Sequence, residues 1–296
     1  MLTIDPKNTP TKDLHQFLLG CIAPRPIAFA STIDENGNPN LAPYSFFNCF
    51  SSNPPILVFS SNRRVADNTT KDTLYNIRKT GEVVINVVNY NIVRQMAVTS
   101  ISFPTETSEF EKSGLTPIPS DLVKPFRVKE SPAQMECKVK DIITLGEYGG
   151  AGHLIICDVL RLHISEDVID ERNRIDPHKI DLMGRMGRAF YVRASGAAIH
   201  TIVQSVVEIG IGFEQLPESI RTSSVLTGNN LGQLAAVTEL PSKETVLQMV
   251  EDDEKVKEII ENQGSKTQLH EYAKKVLDEQ DDRISAIKLA MLPDYL

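Results

Sequence analysis

The sequence predicts a mainly β fold with some α structure, followed by a helical C-terminal extension. Two observations support this prediction. Between about residues 27 and 159, short apolar runs alternate with clusters of Pro, Gly and Asn, which is typical of an all-β barrel or sandwich. Beyond Pro241, apolar residues instead recur at helical spacing. The length of 296 residues allows two domains, which we expect at 1–195 and 196–296.

The first part of the chain is expected to form the strands of a barrel. Residues 27–32 lead into a turn at 34–39, and residues 40–42 return, which indicates a hairpin. Three later apolar runs are too short for helices and are expected to be buried strands. They lie at 55–60, 82–88 and 153–159.

Short helices are predicted between these strands. Residues 72–80 form a helix that begins with Asp72 as its cap and ends at Gly81. A second helix is predicted within 91–100. Pro residues make 116–119 and the Lys124-Pro125 step loops.

The tail is expected to be a helical hairpin. Its two helices are capped by Ser242 and Ser265 and separated by residues 262–264. Within the first helix, the acidic run 251–254 is typical of a solvated face, with a binding role as the alternative.

Composition excludes several classes of partner and site. The chain has 31 basic and 39 acidic residues and a net charge of −8, which argues against nucleic acid or an anionic membrane as a partner. It has neither a secretion signal nor a membrane-spanning apolar segment, so we expect a cytoplasmic protein. The cysteines have no metal-ligand spacing, so buried free thiols and no metal are expected. They are Cys21, Cys49, Cys137 and Cys157.

Common catalytic motifs are absent from the sequence. The chain has no GxxxxGK[ST], HExxH or GxSxG pattern. The glycine-rich segment 146–152 precedes a strand and does not open a helix, so we interpret it as a turn that enters the strand. Hydrolase chemistry is therefore not indicated.

Two polar segments are candidates for ligand binding. Residues 24–32 and 40–48 place small, hydroxyl and amide residues between prolines, which suits a flat, heteroatom-rich ligand, although taken alone the pattern favours edge strands and turns. Arg63, Arg64 and Lys71 precede a helix start, where a phosphate monoester could bind; a solvated loop is the alternative.

Taken together, these segments resemble the flavin reductase-like family. The resemblance covers about residues 14–193. It is carried by PRPIAFASTIDENGNPNLAPYSFFNCFSSNPPILVFSSN, KDTLYNI, EVVINVV, SEFEKSGLTPIPS, VKESPAQMECKV, HLIICDV and GRMGRAFYVR. The later segments 216–218 and 224–232 are similar to longer family members.

This resemblance implies an FMN-binding split β-barrel that forms a homodimer, with one FMN per subunit near the dimer interface. The wall around the flavin ring and ribityl chain would comprise Ser31, Thr32, Asn40, Ala42, Tyr44, Ser45, Phe46 and Asn48. The phosphate end would comprise Ser60, Arg63, Lys71, Asp72 and Thr73. His153 would lie near the nicotinamide, and Arg185, Arg188 and Tyr191 would close the site. Many relatives have Gly where this chain has Cys157.

The function implied by the resemblance is NAD(P)H-dependent flavin reduction. A hydride would pass from a nicotinamide to FMN, and the electrons would then reach an acceptor or a partner oxygenase. Such a transfer needs no protein acid or base, in agreement with the lack of a catalytic dyad motif. Two alternatives are a flavoredoxin-like electron carrier with tightly bound FMN and no NAD(P)H activity, and a non-catalytic FMN-binding or assembly module.

Overall fold

The computed structural model describes residues 1–202 and 208–296, and the chain divides into the units Met1–His200 and Thr201–Leu296. The first unit contains sixteen helices and strands in the described residues. In chain order they are α1 (Thr11–Cys21), β1 (Ala28–Ile33), β2 (Pro39–Tyr44), β3 (Phe47–Ser52), β4 (Pro55–Ser60), α2 (Asp72–Thr80), β5 (Glu82–Asn86), α3 (Val93–Val98), α4 (Glu109–Ser113), β6 (Pro117–Ile118), β7 (Arg127–Val128), β8 (Ala133–Thr144), β9 (His153–Ile164), α5 (Pro177–Ile180), β10 (Met183–Arg185) and β11 (Tyr191–Arg193).

Seven of these strands form one antiparallel sheet. Their order is β2-β1-β5-β8-β9-β4-β3. The two edge strands, β2 and β3, are separated in sequence only by Ser45 and Phe46. Because a two-residue link holds both edges together, the sheet must roll up into a barrel that stays open between β2 and β3.

Apolar side chains fill both faces of β1, which is buried at all six positions. Ala28 and Ala30 pack in one cluster with Leu74 and Ile77 of α2. Phe29, on the opposite face, packs in a second cluster that includes residues of α3 and α4. Burial on both faces explains why this strand has no apolar-polar alternation in its sequence.

Most predicted elements of this unit agree with the structure. The strand at 55–60 matches β4 at both ends. Strands β1, β5 and β9 overlap the other predicted runs, although β5 ends two residues early at Asn86 and β9 continues to Ile164. Gly81 ends α2 with φ 69°, and its N–H donates to Ile77 O, as a helix C-cap does. The Asp72 cap is wrong, because Lys71 holds the cap position and Asp72 is already helical. A carboxylate in the first turn still favours the helix dipole.

Several elements differ from the prediction. The helix expected within 91–100 is shorter, at Val93–Val98, and residues 117–118, expected as loop, pair with β7. Helix α1 and the long strand β8 were not predicted. The glycine-rich segment does enter a strand, since it joins β8 to β9.

The second unit contains six α-helices in its described residues and is not a simple hairpin. They are α6 (Glu218–Arg221), α7 (Gly228–Leu234), α8 (Lys243–Asp252), α9 (Glu254–Glu261), α10 (Lys266–Gln280) and α11 (Arg283–Met291). Leu216, Leu234, Val256 and Leu269 belong to its single apolar cluster. The unit therefore has a hydrophobic core of its own.

Two aspartates break the helices that were predicted to be continuous. Asp253 caps α9, because its carboxylate accepts from the N–H groups of Lys255 and Val256, and it also accepts from Tyr272 Oη at 2.9 Å. The acidic run is thus not solvated along its whole length. Asp281 ends α10 with φ 51°. The predicted break at 262–264 is confirmed.

The predicted starts of α8 and α10 are also confirmed. Ser242 Oγ accepts from Thr245 N at 3.3 Å, and Ser265 N donates to Gln268 Oε1 at 2.8 Å.

Only two of the four cysteines are buried, although burial was expected for all four. Cys137 and Cys157 are buried, whereas Cys21 and Cys49 are exposed, and all four are free thiols. Burial raises the pKa of Cys157 to about 12, so this thiol stays protonated and unreactive at neutral pH. Across residues 1–202 and 208–296, no helix has the length and apolarity needed to cross a bilayer.

Candidate functional site

Cations and hydroxyl groups gather where β2, β4 and the start of α2 meet. We call this group the basic corner and define it as Tyr44, Ser61, Arg63, Arg64 and Lys71. The Lys71 ammonium lies 4.7 Å from the centroid of the Tyr44 ring, at cation–π distance. Burial lowers the pKa of Lys71, and the charge of Arg64 lowers it further.

The arginines of this corner are held by neutral groups. Arg63 Nε donates to Asn68 Oδ1 at 2.7 Å, and Arg64 Nη1 donates to Thr69 Oγ1 at 2.8 Å. Among the described residues, no carboxylate forms an ion pair within 4.0 Å of either arginine or of Lys71. The corner is therefore a local excess of positive charge.

Two buried hydroxyls of the corner form no hydrogen bond of good geometry, although Thr73 and Ser61 lie close enough to the phenol of Tyr44 to lower its pKa slightly. The two hydroxyls are Tyr44 Oη and Ser61 Oγ. Burial raises the pKa of Tyr44 to about 12, so its phenol remains a donor at neutral pH. A buried polar group without a partner costs about 1–3 kcal/mol. Donors without partners beside unpaired cations fit the phosphate of FMN.

The glycine-rich segment shapes the floor of this corner. A Cβ at Gly152 would lie 2.6 Å from Ser60 Oγ and 3.3 Å from Asn62 Oδ1. Ser60 Oγ donates to Asn62 Oδ1 at 2.7 Å, and Asn62 Nδ2 donates to Gly150 O at 3.2 Å. The absence of a side chain at Gly152 lets the segment pack directly against the end of β4.

Three of the predicted site residues meet in one hydrogen-bond network. Asn40 Nδ2 donates to Thr32 Oγ1 at 3.1 Å and to Thr73 Oγ1 at 2.9 Å. Asn76, which the sequence did not single out, donates to the same Thr32 oxygen at 3.1 Å. The network ties β1 and β2 to the first turns of α2 and so fixes the helix start beside Lys71.

The predicted flavin wall does not form a single surface. Strand register places Thr32, Asn40, Ala42 and Tyr44 on one face of the β1-β2 hairpin. Ser31 lies on the opposite face and is buried, with its hydroxyl unpartnered.

The wall residues after β2 also differ in exposure. Phe46 and Asn48 are exposed, and Asn48 Oδ1 accepts locally from Cys49 N at 2.8 Å. Ser45 is half-buried and faces a different group of cations.

His153, the candidate nicotinamide contact, is 1% exposed. Its Nδ1 lies 3.0 Å from Thr144 Oγ1, and its Nε2 is buried without a partner. Burial lowers the pKa of His153, and the charges of Arg78 and Arg63 lower it further, so the imidazole is neutral at pH 7. Its contact with a nicotinamide stays a prediction.

A second group of cations lies at the strand pair β10-β11. The Arg185 guanidinium stacks 4.5 Å from the Tyr191 ring centroid, and its Nη2 donates to Arg188 O. The main chains of Arg185 and Arg25 pair at 2.8 and 2.9 Å, and Arg25 Nε donates to Ser45 Oγ at 3.4 Å. Arg25 was not selected from the sequence, although its position between two prolines was the available signal.

Known proteins resemble the first unit. The family described as "Flavin reductase like domain" matches residues 19–179. An uncharacterized protein of Aquifex aeolicus is 38% identical over 190 residues, which are 64% of this chain and 94% of that protein. The crystal structure of nitrilotriacetate monooxygenase component B from Bacillus cereus superposes with a TM-score of 0.63 at 33% identity, covering 68% of this chain and 98% of that chain.

A third protein is similar in fold. This protein, from Shewanella frigidimarina, is described as a flavin reductase with a split barrel domain. Its structure superposes with a TM-score of 0.59 at 24% identity, covering 69% of this chain and 100% of that chain. The predicted split barrel is therefore confirmed. About a third of this chain has no counterpart in these three proteins.

The family match covers more than half of the chain and includes both the basic corner and β9. It agrees with the cations and unpartnered donors of the corner, which suit a flavin phosphate. The chain belongs to the flavin reductase-like family, and its barrel is a flavin-related oxidoreductase domain.

Proposed function

We propose that the barrel binds FMN and catalyses its reduction by NAD(P)H. The observation that carries this proposal is the basic corner, where three cations form no ion pair with a carboxylate among the described residues and two buried hydroxyls form no hydrogen bond of good geometry. A phosphate monoester supplies the missing negative charge and the missing acceptors together. The phosphate of FMN is the ligand group that this family membership suggests.

The corner offers several kinds of donor to that phosphate. Lys71 contributes a charge, Ser61 and Tyr44 contribute hydroxyls, and the first turn of α2 contributes N–H groups at the positive end of the helix dipole. Asp72 contributes through its backbone, because its carboxylate would repel a phosphate.

FMN supplies, when bound, a ring system that accepts a hydride and passes electrons onward. The residues of this chain then act by binding, orientation and exclusion of water. Tyr44 keeps its proton because its pKa is about 12, and His153 remains neutral because its pKa is lowered, so neither group changes charge near pH 7.

A homodimer and a separate electron acceptor are part of the proposal. Leu160, Leu162 and Ile164 leave an exposed apolar row at the end of β9, which suits a second copy of the chain. The name of the Bacillus cereus protein, a monooxygenase component, supports a partner oxygenase as the acceptor. The four free cysteines support a reducing compartment such as the cytoplasm.

The test is a visible absorption spectrum of the purified full chain with FMN, followed by NADH and then NADPH without oxygen. Rapid bleaching of the flavin band is the expected result. A band that bleaches only with a chemical reductant would instead identify a flavoredoxin-like electron carrier. A protein that takes up no FMN would be a non-catalytic assembly module, and the proposal would be wrong.

A further inference from the structure

A small cleft on the first unit contains a cation. Its lining includes Ile27, Pro43, Tyr44, Ser45, Arg185 and Tyr191, and we call it the Arg185 cleft. The guanidinium of Arg185 lies 4.5 Å from the centroid of the Tyr191 ring, at cation–π distance. The cleft therefore places a positive charge beside an aromatic ring.

A second guanidinium lies behind the cleft. Arg25 is 5% exposed and donates to Leu19 O at 2.8 Å, to Met186 O at 3.0 Å and to Ser45 Oγ at 3.4 Å. Each of these acceptors is neutral. Because the main chains of Arg25 and Arg185 pair with each other, the fold holds two like charges at one place.

Among the described residues, these two charges have no carboxylate partner. In the part of the chain that the structure describes, no carboxylate forms an ion pair with Arg25 or Arg185. Burial and the charge of Arg185 both lower the pKa of Arg25, yet a guanidinium stays protonated in proteins. Burying a cation without a counter-charge is costly, so an anion that enters the cleft is favoured.

The proposed function limits which anion this is. FMN carries one phosphate, and the basic corner already holds cations for it. Tyr44 lines the Arg185 cleft and also carries Lys71 over its ring, so the two groups of cations border the same tyrosine. The other phosphate-bearing molecule in the reaction is the reduced nicotinamide dinucleotide.

We propose that the Arg185 cleft binds the pyrophosphate of NADH or NADPH. Arg185 contacts the pyrophosphate, and Arg25 is a positioning residue, because its guanidinium donates to the main-chain oxygen of Met186, the residue that follows Arg185. This proposal rests on the proposed function, since it assigns the site of the hydride donor in that reaction.

The experiment compares two hydride donors on the full chain saturated with FMN. NADH carries the pyrophosphate, whereas N-benzyl-1,4-dihydronicotinamide has no phosphate. In Arg185→Gln, the KM for NADH rises about tenfold or more, the size expected for one lost charge-assisted hydrogen bond, while the KM for the benzyl donor stays within about twofold. Arg25→Lys raises the KM for NADH by a larger factor than the KM for the benzyl donor.

The matched control is Arg193→Gln. Arg193 also stacks on a tyrosine, 3.8 Å from the Tyr90 ring centroid, but it pairs with Asp181 at 2.7 Å. Neither KM changes in this variant. ADP-ribose, which carries the pyrophosphate without the nicotinamide, competes with NADH in the wild type and loses its effect in Arg185→Gln.

Other outcomes overturn the proposal in distinguishable ways. Equal rises of KM for both donors would assign Arg185 to the flavin or to the fold, and no rise for either would leave the pyrophosphate elsewhere. If the wild type oxidised neither donor, the proposed function would fail. Calorimetry with ADP-ribose would then test anion binding at the cleft independently of activity. Binding that Arg185→Gln abolishes would support an anion site, and no binding to the wild type would exclude it.

Discussion

Lys71 differs from the other lysines that face aromatic rings in this unit because its charge is half-buried and has no carboxylate partner. Lys79, by contrast, lies 5.7 Å from the Tyr75 ring centroid and pairs with Glu35 at 3.5 Å on the surface. In the last turn of α2, Lys79 thus forms a surface ion pair. At the start of the same helix, Lys71 is a cation without a carboxylate partner. Only the second arrangement gains from an anionic ligand.

Replacement of Lys71 by Ala weakens FMN binding roughly 10- to 150-fold, because the phosphate loses a charge-assisted partner worth about 1.5–3 kcal/mol. Fluorescence titration of FMN measures this change. Lys79→Ala is the control and leaves the affinity unchanged. The double replacement Arg63→Ala and Lys71→Ala weakens binding further, and an unchanged affinity in it would exclude the basic corner as the phosphate site.

Glu136 shows how a buried carboxylate contributes pH-dependent stability. It is 0% exposed, its oxygens accept from Asp121 N at 2.9 Å and Leu122 N at 2.6 Å, and His163 Nε2 lies 2.7 Å away. Burial alone would raise the pKa of Glu136, but these hydrogen bonds together hold it below its ordinary value of 4.5. The resulting stability is present above pH 4.5 and is lost as the pH falls through the lower folded-state pKa.

Glu136→Gln lowers the free energy of unfolding near neutral pH, and its difference from wild type shrinks as the pH falls below about 4.5. Urea unfolding at a series of pH values measures this. The exposed Glu171→Gln serves as the control. A difference that grew toward acid pH would contradict the lowered pKa.

The connection between β8 and β9 supports a loop of the basic corner. Its glycines pack against the loop after β4, where Asn62 donates to Gly150 O, and so brace the loop that carries Arg63 and Arg64. A strand-to-strand turn on one side of the sheet thereby positions cations that come from a different strand end. The backbone of this turn therefore supports the loop that carries the two arginines of the basic corner.

Gly152→Ala forces Ser60 or Asn62 to move, since the added Cβ would lie 2.6 Å from Ser60 Oγ. We expect a loss of about 1–3 kcal/mol in unfolding free energy, typical of overpacking, together with weaker FMN binding. Thermal unfolding and FMN titration measure the two effects. Gly20→Ala, which meets nothing within 4 Å, is the control; equal behaviour of both variants would remove Gly152 from this role.

How far the sequence predicts the elements depends on where their signals lie. Strand β4 was predicted correctly at both ends, because a continuous apolar run marks it. Helix α1 buries none of its residues and so gives a weaker apolar stripe. The breaks at Asp253 and Asp281 were missed, because an aspartate inside a charged helix is a cap only when the surrounding structure makes it one.

Site prediction was limited in the same way. Polar residues on neighbouring strands, such as Thr32 and Asn40, were correctly grouped, since the hairpin sets them opposite each other. Ser61, Asn76 and Arg25 were missed, because their burial and lack of charged partners depend on segments distant in sequence.

At the scale of the whole molecule, the two units differ in net charge. Residues 1–200 hold 22 basic and 22 acidic residues, whereas 201–296 hold 9 and 17, so the entire net charge of −8 belongs to the helical unit. The unit that contains the proposed FMN site is therefore neutral overall. Its two groups of unpaired cations act without competition from an acidic background in their own unit.

Deletion after His200 leaves a folded barrel that still binds FMN, because the helical unit has its own core and about a third of this chain has no counterpart in the solved relatives. Deletion after Ser242 instead removes the packing partners of Leu216, Ile220 and Leu234 and exposes them. Size-exclusion chromatography and FMN titration compare the two truncations. An insoluble 1–200 barrel, or a well-behaved 1–242 chain, would contradict this division.

The strand order also has a consequence for synthesis on the ribosome. Strand β4 pairs with β9, which begins at His153. During translation, the apolar residues 56–59 therefore lack this partner strand until nearly a hundred more residues have been added. Pairing between such distant segments is slow, and an exposed strand edge invites association with other chains. The β3-β4 hairpin is thus the segment of the nascent barrel that most needs protection by chaperones.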